Sequence, residues 1–225
     1  MSFQDIAVVI AALNEEEGIG PTLAELREVL KDSLCLVVDG NSTDRTVEIA
    51  KESGVEVLPQ MSRGKGNAIS EALAYINWDP KYVVLTDADF TYPAKYILDM
   101  IQILEEEPSV GMVIGNRFNH LLTAAAMKNP FYIGNRLLAI GQLILNGVDL
   151  NDPLTGLRMV RWEILKGWKP KSHGFDIEAE LNHQVERRGY QIQEISIPYR
   201  NRLGKKKLKL RHGFSILRRI ILESF

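Results

Sequence analysis

The sequence contains little cysteine and no long apolar run. Cys35 is the single cysteine among 225 residues, which excludes an internal disulfide framework and favours a reducing compartment. No stretch reaches the roughly 18 consecutive apolar residues that a membrane-spanning helix needs. Residues 1–5 lack the basic and apolar segments of a secretory signal. These absences predict a cytoplasmic protein without a membrane span.

Charge of the two signs nearly balances, with a formal net charge of -2, but its distribution is uneven. Residues 200–225 contain nine basic residues and one acidic residue, so this tail carries +8 and the preceding part carries -10. A basic tail on an acidic body favours an anionic partner, which can be phosphate, a membrane surface or nucleic acid. No nucleic-acid partner is expected, because aromatic residues are not interleaved with the basic ones between 205 and 211.

Short apolar runs alternate with amphipathic segments, and no linker divides the chain. The runs predict strands over 6–13, 34–39, 55–58, 83 to about 87, 110–115 and 192–198. Helices are predicted over 21–30, from about 45 with Ser42 or Thr43 as N-cap, and over 68–76, 94–106, 131–145, 175–188 and from 212 onward. Residues 118–130 are predicted to form a loop. This alternation indicates one α/β domain with a single, mostly parallel sheet flanked by helices.

Acidic residues follow three of the predicted strands. Asn14 and Glu15 follow the first strand, Asp39 ends the second, and Asp87 and Asp89 end the fourth. Parallel sheets bind ligands at the carboxyl ends of their strands. Two carboxylates two residues apart in extended chain lie on the same side, where Mg2+ or Mn2+ would relieve their repulsion. The alternative for Asp87 and Asp89 alone is a pair of solvated turn residues.

The end of the chain predicts an amphipathic helix over 212–225, which carries arginine on its polar face beside a lysine run. Such a helix is typical of peripheral membrane contact, although packing on the core is the commoner role of this pattern. We therefore expect a domain over 1–211, followed by an interfacial helix on the cytoplasmic face of a membrane. The apolar segment 131–145 is predicted to be either a second lipid-facing helix or a core helix.

Several segments together resemble GT-A glycosyltransferases of family 2, and in particular the polyprenyl-phosphate sugar synthases. The segments that carry the resemblance are 12–15 (ALNE), 38–44 (VDGNSTD), 63–66 (RGKG), 87–89 (DAD), 115–117 (GNR), 152–156 (DPLTG), 174–178 (GFDIE) and 199–208 (YRNRLGKKKL). They occur in the order of the family and extend over nearly the whole chain. The resemblance implies a GT-A fold, a nucleotide-sugar donor and a polyprenyl-phosphate acceptor.

The resemblance also implies a role for each matching position. Asp39 would bind the nucleobase, Asp87 and Asp89 would hold Mg2+ or Mn2+ on the diphosphate, and the other nucleotide-binding positions are Ala12, Asn14, Glu15 and Lys65. Lys65, which lies between two glycines, would either contact the donor phosphates or only begin a helix. Anionic oxygens of donor or acceptor would contact Arg117, Arg202 and Lys207.

The expected reaction is inverting transfer of a hexose from GDP-mannose, UDP-glucose or UDP-N-acetylglucosamine to polyprenyl (dolichyl) phosphate. A phosphate dianion, with its second pKa of about 6, needs no general base. A hydroxyl acceptor would need one, and Asp176 or Glu178 would be the candidate. The alternative hypothesis keeps the donor and replaces the lipid with a soluble phosphorylated molecule or a glycan.

Overall fold

The computed structural model describes residues 3–118 and 129–225, so most of the predicted loop 118–130 lies outside the described residues. One seven-stranded sheet forms the centre, in the order β3-β2-β1-β4-β6-β5-β7. Its strands are β1 (Ile6–Ala12), β2 (Leu34–Asp39), β3 (Glu56–Pro59), β4 (Tyr82–Asp87), β5 (Val110–Asn116), β6 (Arg158–Arg161) and β7 (Gln191–Ser196). The predicted α/β class and mostly parallel sheet are confirmed.

The strand β6 is the reversed member of this sheet. It pairs antiparallel with β4 on one side and with β5 on the other, while β1, β2, β3 and β4 are mutually parallel and β5 is parallel to β7. The sequence pattern does not predict β6. Its two central residues, Met159 and Val160, are apolar and buried, but Arg158 and Arg161 flank them and obscure the strand pattern.

Helices flank the sheet on both faces. They are α1 (Ile19–Val29), α2 (Thr46–Glu52), α3 (Lys65–Tyr75), α4 (Ile97–Glu106), α5 (Pro130–Asn146), α6 (Trp162–Leu165), α7 (Ile177–Arg187) and α8 (His212–Leu222), and a 3-10 turn over Ala94–Tyr96 precedes α4. The predicted N-cap of α2 is wrong. Neither Ser42 nor Thr43 caps this helix, because Asp44 lies closer to its start and its Oδ1 accepts a hydrogen bond from the Thr46 N–H at 3.0 Å.

Side chains of β1 alternate between two apolar cores, as expected for a strand covered on both faces. Val8 and Ile10 pack in the core that contains α1 and α4. Ala7 and Val9 pack in the opposite core, which contains α3, α6 and α7. This burial fixes the register of the central strands and therefore the positions of their carboxyl ends.

The C-terminal helix α8 lies against α5 and α7. Its Ile216 and Ile220 are buried with Ala179 of α7, and Leu138 and Leu154 pack around them. Other apolar residues of the two outer helices are exposed: Ile133, Leu137, Ile140 and Ile144 on α5, and Phe214, Leu217 and Ile221 on α8. Within residues 3–118 and 129–225, no helix is both long and apolar enough to cross a membrane.

Candidate active site

The carboxyl ends of β1, β2 and β4 meet at one edge of the sheet, as their sequence predicts. The register pairs Ala12 with Asp39 and Ala11 with Asp87, so the acidic residues lie on adjacent strands. Each strand is followed by a turn that contains a non-glycine residue of positive φ. These residues are Asn14 at 50°, Asn41 at 65° and Phe90 at 63°. Backbone of this kind is uncommon and concentrates at functional sites.

Asp39 is buried at the end of β2 and presents one unused acceptor. Its Oδ2 accepts a hydrogen bond from the Ser42 N–H at 2.9 Å. Its Oδ1 is buried and has no partner in the described part of the chain. Ala12, buried beside it, accepts a hydrogen bond through its carbonyl from the Gly40 N–H at 2.8 Å. A buried carboxylate oxygen without a donor is costly, so this atom marks a position for a ligand N–H.

Asn14 and Glu15 join the turn after β1 to the turn after β2. Asn14 Oδ1 accepts a hydrogen bond from the Thr43 N–H at 2.7 Å, and the Glu15 N–H donates to Thr46 Oγ1 at 2.8 Å. The carboxylate of Glu15 is buried, and its Oε2 accepts no hydrogen bond from the described residues. Burial raises the pKa of Glu15, although Lys207 and Arg202 both oppose that shift. Asn14 therefore fixes the two turns against each other, while Glu15 provides a second unused oxygen.

Asp87 is paired with Lys65, whose Nζ also contacts Glu178. The Nζ lies 2.7 Å from Asp87 Oδ1 and 2.7 Å from Glu178 Oε1. Burial alone would raise the pKa of Asp87, but the Lys65 charge outweighs it and holds that pKa below its usual value. Gly156 packs against this carboxylate, and a Cβ at residue 156 would lie 2.4 Å from Asp87 Oδ2. A side chain at residue 156 would therefore displace the Asp87 carboxylate.

Asp89 is more deeply buried than Asp87, and both of its oxygens accept hydrogen bonds. The Thr91 hydroxyl donates to Oδ1 at 2.5 Å, and Arg202 Nη1 donates to Oδ2 at 2.6 Å. Burial and the neighbouring Asp87 charge raise the pKa of Asp89. The two carboxylates of the motif thus differ: Asp87 is stabilised as an anion by a lysine, and Asp89 depends on Arg202 and Thr91.

The basic tail crosses this edge of the sheet. Arg202 bridges Asp89 and Glu15, and Lys207 Nζ lies 2.7 Å from Glu15 Oε1 and from the Asn14 carbonyl oxygen. The backbone is fixed here as well, because the Leu203 N–H donates to the Asp89 carbonyl at 3.1 Å. The predicted anion-binding residues Arg202 and Lys207 are therefore brought to the acidic edge.

Arg117, at the end of β5, forms a two-pronged ion pair with Asp152. Its Nε and Nη2 each lie 2.7 Å from an Asp152 oxygen, and its backbone N–H donates to the same carboxylate at 3.0 Å. Its Nη1 faces the Tyr92 hydroxyl at 3.4 Å, and its guanidinium lies 5.3 Å from the Tyr199 ring centroid. Burial opposes the charged form, but Asp152 raises the pKa of Arg117 well above its usual value. Arg117 is a fixed cation.

The two candidate bases point to different partners. Asp176 precedes α7, where its Oδ1 accepts a hydrogen bond from the Gly174 N–H at 3.0 Å and its Oδ2 lies 3.5 Å from Arg219 Nε. Glu178 contacts Lys65 instead. Residues two apart on a helix do not face each other, so α7 separates these carboxylates. Glu178, and not Asp176, therefore contacts Lys65, the lysine that pairs with Asp87.

Three residues to which sequence analysis gave no site role help to build the edge. Thr91 donates to Asp89, Asp152 fixes Arg117, and the Tyr92 hydroxyl accepts a hydrogen bond from the Gly156 N–H at 2.7 Å. Asp152 and Gly156 lie within one of the resembling segments, which was the available signal. No pattern in the sequence pointed to Tyr92.

The oxygen ligands that Asp87 and Asp89 offer suit a hard divalent cation. Asp87 and Asp89 supply carboxylate oxygens, which Mg2+ and Mn2+ prefer, and Asp87 Oδ2 accepts no hydrogen bond from the described residues. Residues 3–118 and 129–225 contain no cluster of three or more His, Cys, Asp and Glu side chains that would hold a metal without further ligands. Phosphate oxygens and water would therefore complete the shell, as is usual for Mg2+.

Comparison with known proteins identifies the family of the chain. Residues 7–166 match the model of glycosyl transferase family 2. The dolichyl-phosphate hexose transferase of Haloferax volcanii is 34% identical over 209 residues, which cover 92% of this chain and 88% of that protein. The dolichol-phosphate mannosyltransferase of Pyrococcus furiosus is 26% identical over 96% of this chain, which spans only 62% of that protein.

A solved structure shows the same fold. The glucosyl-3-phosphoglycerate synthase of Mycobacterium tuberculosis, crystallised with Mn2+, UDP-glucose and phosphoglyceric acid, matches 97% of this chain and 79% of its own with a TM-score of 0.78. The sequence identity is 20%, so this likeness concerns the fold alone. The family match covers most of the chain, and the chain therefore belongs to glycosyl transferase family 2, as a glycosyltransferase of GT-A fold.

Proposed function

We propose that this enzyme transfers a hexose, with inversion, from a nucleotide-diphosphate sugar to polyprenyl phosphate and requires Mg2+ or Mn2+. The observation that carries the proposal is the edge of the sheet where Asp39, Glu15, Asp87 and Asp89 meet the cationic tail. The names of the relatives from Haloferax volcanii and Pyrococcus furiosus support the lipid-phosphate acceptor.

Asp39 recognises the nucleobase in this proposal. Its buried Oδ1 would accept a ring N–H of the base, while Ser42 keeps the other oxygen in place. Uracil and guanine both present such an N–H, so GDP and UDP sugars both suit this acceptor. Ala12, Asn14 and Glu15 form the adjacent wall of the nucleoside pocket.

Asp87 and Asp89 would hold the divalent cation against the diphosphate. When bound, the cation stabilises the negative charge that develops on the departing diphosphate. Arg202 and Lys207 would contact the same anionic oxygens, because both already lie at this edge with carboxylate oxygens as their partners. In the free enzyme Arg202 and Lys207 bind oxygens of Glu15 and Asp89, and phosphate oxygens would replace these when the nucleotide sugar binds.

Arg117 would contact the acceptor phosphate. Asp152 holds its Nε and Nη2, which leaves Nη1, with only a long contact to Tyr92, for a phosphate oxygen. A phosphate dianion is a sufficient nucleophile near neutral pH. The ion pairs of Asp176 and Glu178 agree with a mechanism that uses neither as a base. In-line attack from the face opposite the diphosphate would invert the anomeric carbon.

The exposed apolar residues of α5 and α8 form a surface that suits a lipid acceptor. We define this outer apolar surface as Ile133, Leu137, Ile140 and Ile144 of α5 with Phe214, Leu217 and Ile221 of α8. Exposed apolar patches rimmed by polar groups commonly mark membrane or protein contacts. The basic residues of 200–219 lie beside it in sequence and favour anionic headgroups. In this proposal 1–211 is the catalytic domain, and 212–225 is an interfacial helix on the cytoplasmic membrane face.

A transfer assay tests the proposal. The full chain is incubated with dolichyl phosphate, Mg2+ or Mn2+, and radiolabelled GDP-mannose, UDP-glucose or UDP-N-acetylglucosamine in parallel. Label extracted into organic solvent with one donor, and lost on chelation, is the expected result. Label transferred only to a water-soluble phosphorylated or glycan acceptor would support the alternative acceptor class and contradict the lipid one.

A further inference from the structure

Lys65 is surrounded by carboxylates and has little contact with solvent. Its side chain is 14% exposed, and its Nζ lies 2.7 Å from both Asp87 Oδ1 and Glu178 Oε1. Glu178 is more deeply buried, with a side chain that is 7% exposed. A lysine in this position is already engaged by two anions. Arg202 and Lys207 also pair with carboxylates, but their side chains are more exposed, at 23% and 25%.

The backbone on both sides of this ion triad is tightly packed. A Cβ added at Gly66 would lie 2.2 Å from the Ser172 carbonyl oxygen, so the start of α3 contacts the segment that leads into α7 without space for a side chain. The Asn67 N–H donates to the His173 carbonyl oxygen at 3.3 Å. Lys65 and Glu178 therefore belong to two elements that are fixed against each other.

This packing determines how Asp87 is oriented. Lys65 holds Oδ1, and Gly156 faces Oδ2, which is the oxygen without a partner among the described residues. Rotation of the carboxylate would break its partly buried ion pair with Lys65, whereas in its present position it offers Oδ2 to a cation. Groups fixed in this manner are what a metal-assisted transfer needs, because small displacements of the reacting groups are costly.

We propose that Lys65 and Glu178 act as positioning residues for Asp87, with Glu178 fixing Lys65 and Lys65 fixing the carboxylate. Neither residue then contacts the donor phosphates or the acceptor. Lys65 is not a phosphate ligand, and Glu178 is not a general base. The inference rests on the proposed metal-dependent sugar transfer, but it concerns contacts that exist in the enzyme without substrate.

The first test measures stability, and needs neither donor nor acceptor. The variants are Lys65→Met, Glu178→Gln and the double variant, with thermal unfolding as the readout. Lys65→Met should lower the midpoint by about 5 °C or more, because the buried Glu178 and the partly buried Asp87 lose their shared cation. Glu178→Gln should lower the midpoint in the wild-type background and raise it in the Lys65→Met background. An equal effect of Glu178→Gln in both backgrounds would overturn the coupling.

The second test separates positioning from phosphate binding. Calorimetry with UDP and GDP in the presence of a chelator should show affinities within about threefold of wild type for Lys65→Met and Glu178→Gln. Loss of a charged hydrogen bond to phosphate would instead weaken binding at least about tenfold. A tenfold or larger loss in Lys65→Met would therefore overturn the proposal.

The third test uses transfer kinetics. Lys65→Met should lower kcat about 100-fold with donor KM nearly unchanged, Lys65→Arg should recover part of the loss, and the double variant should be no slower than Lys65→Met. Multiplied losses in the double variant would show that Glu178 acts independently and would overturn the proposal. The matched control is Lys81→Met, at the residue before β4, which removes an exposed ion pair with Glu105. Its kcat and KM should equal those of wild type. If wild type transfers no sugar to polyprenyl phosphate, the proposed function fails while the first two tests still decide this inference.

Discussion

The outer apolar surface makes a quantitative prediction about membrane binding. Phe214 is 80% exposed on α8 and Leu137 is 66% exposed on α5. Burying such a side chain in an apolar medium is worth about 1.5–3 kcal/mol, and an alanine at the same position retains part of that. Replacing either residue with alanine should therefore cost about 1 kcal/mol of partition free energy. The double variant Phe214→Ala/Leu137→Ala should bind vesicles about 30-fold more weakly than wild type.

The assay is co-sedimentation of the full chain with vesicles of phosphatidylcholine, with and without phosphatidylserine. Anionic lipid should strengthen binding of wild type and double variant by the same factor, because the basic tail is unchanged. Leu98→Ala is the matched control, since Leu98 is 45% exposed on α4, which packs on the opposite face of the sheet. Thermal unfolding should be unaffected in every variant, as expected for exposed positions. Equal vesicle binding by wild type and double variant would refute the assignment of this surface to lipid.

Three further predictions concern the edge of the sheet. Asp39→Asn should weaken GDP or UDP binding at least about tenfold, because a charged acceptor is lost; unchanged calorimetric affinity would contradict base recognition by this residue. Asp89→Ala, like chelation of the wild type, should abolish metal-stimulated transfer, and full activity of the variant would remove Asp89 from the metal site. Asp152→Asn should lower the free energy of unfolding by about 3 kcal/mol, since Arg117 loses a buried counter-ion, and an unchanged urea midpoint would argue against that pairing.

The location of the candidate site, at the carboxyl ends of the parallel strands, could be predicted from the sequence because it follows from strand direction. The runs that end at Ala12, Asp39 and Asp87 are apolar enough to be buried on both faces, and parallel strands bring their carboxyl ends together. The strand β6 could not be predicted in the same way. Its four residues are stabilised by pairing with β4 and β5, which are distant in sequence, and local propensity carries little of that information.

The ion-pair partners of the charged residues could not be predicted from the sequence either. Lys65 is 22 positions from Asp87, and Glu178 is on α7, which is distant from both in sequence. In the sequence Asp176 and Glu178 are equivalent candidates for a general base. In the structure Asp176 lies near Arg219, whereas Glu178 contacts Lys65. The predicted N-cap of α2 was wrong because the hydroxyls of Ser42 and Thr43 bond to Asn14, which lies 28 to 29 positions away. Asp44 instead accepts the hydrogen bond from the Thr46 N–H.

The turn after Asp89 has a consequence for protein engineering. Phe90 adopts φ 63°, a conformation that costs a bulky L-residue about 1–2 kcal/mol. It is held there by the Thr22 hydroxyl, which accepts a hydrogen bond from its N–H at 3.1 Å, and by the Arg200 guanidinium, 4.4 Å from its ring centroid. Selection for heat resistance alone would favour glycine at this position. Because a glycine would give up the contact with Arg200 directly after Asp89, libraries at residue 90 should be screened for turnover as well as for thermal tolerance.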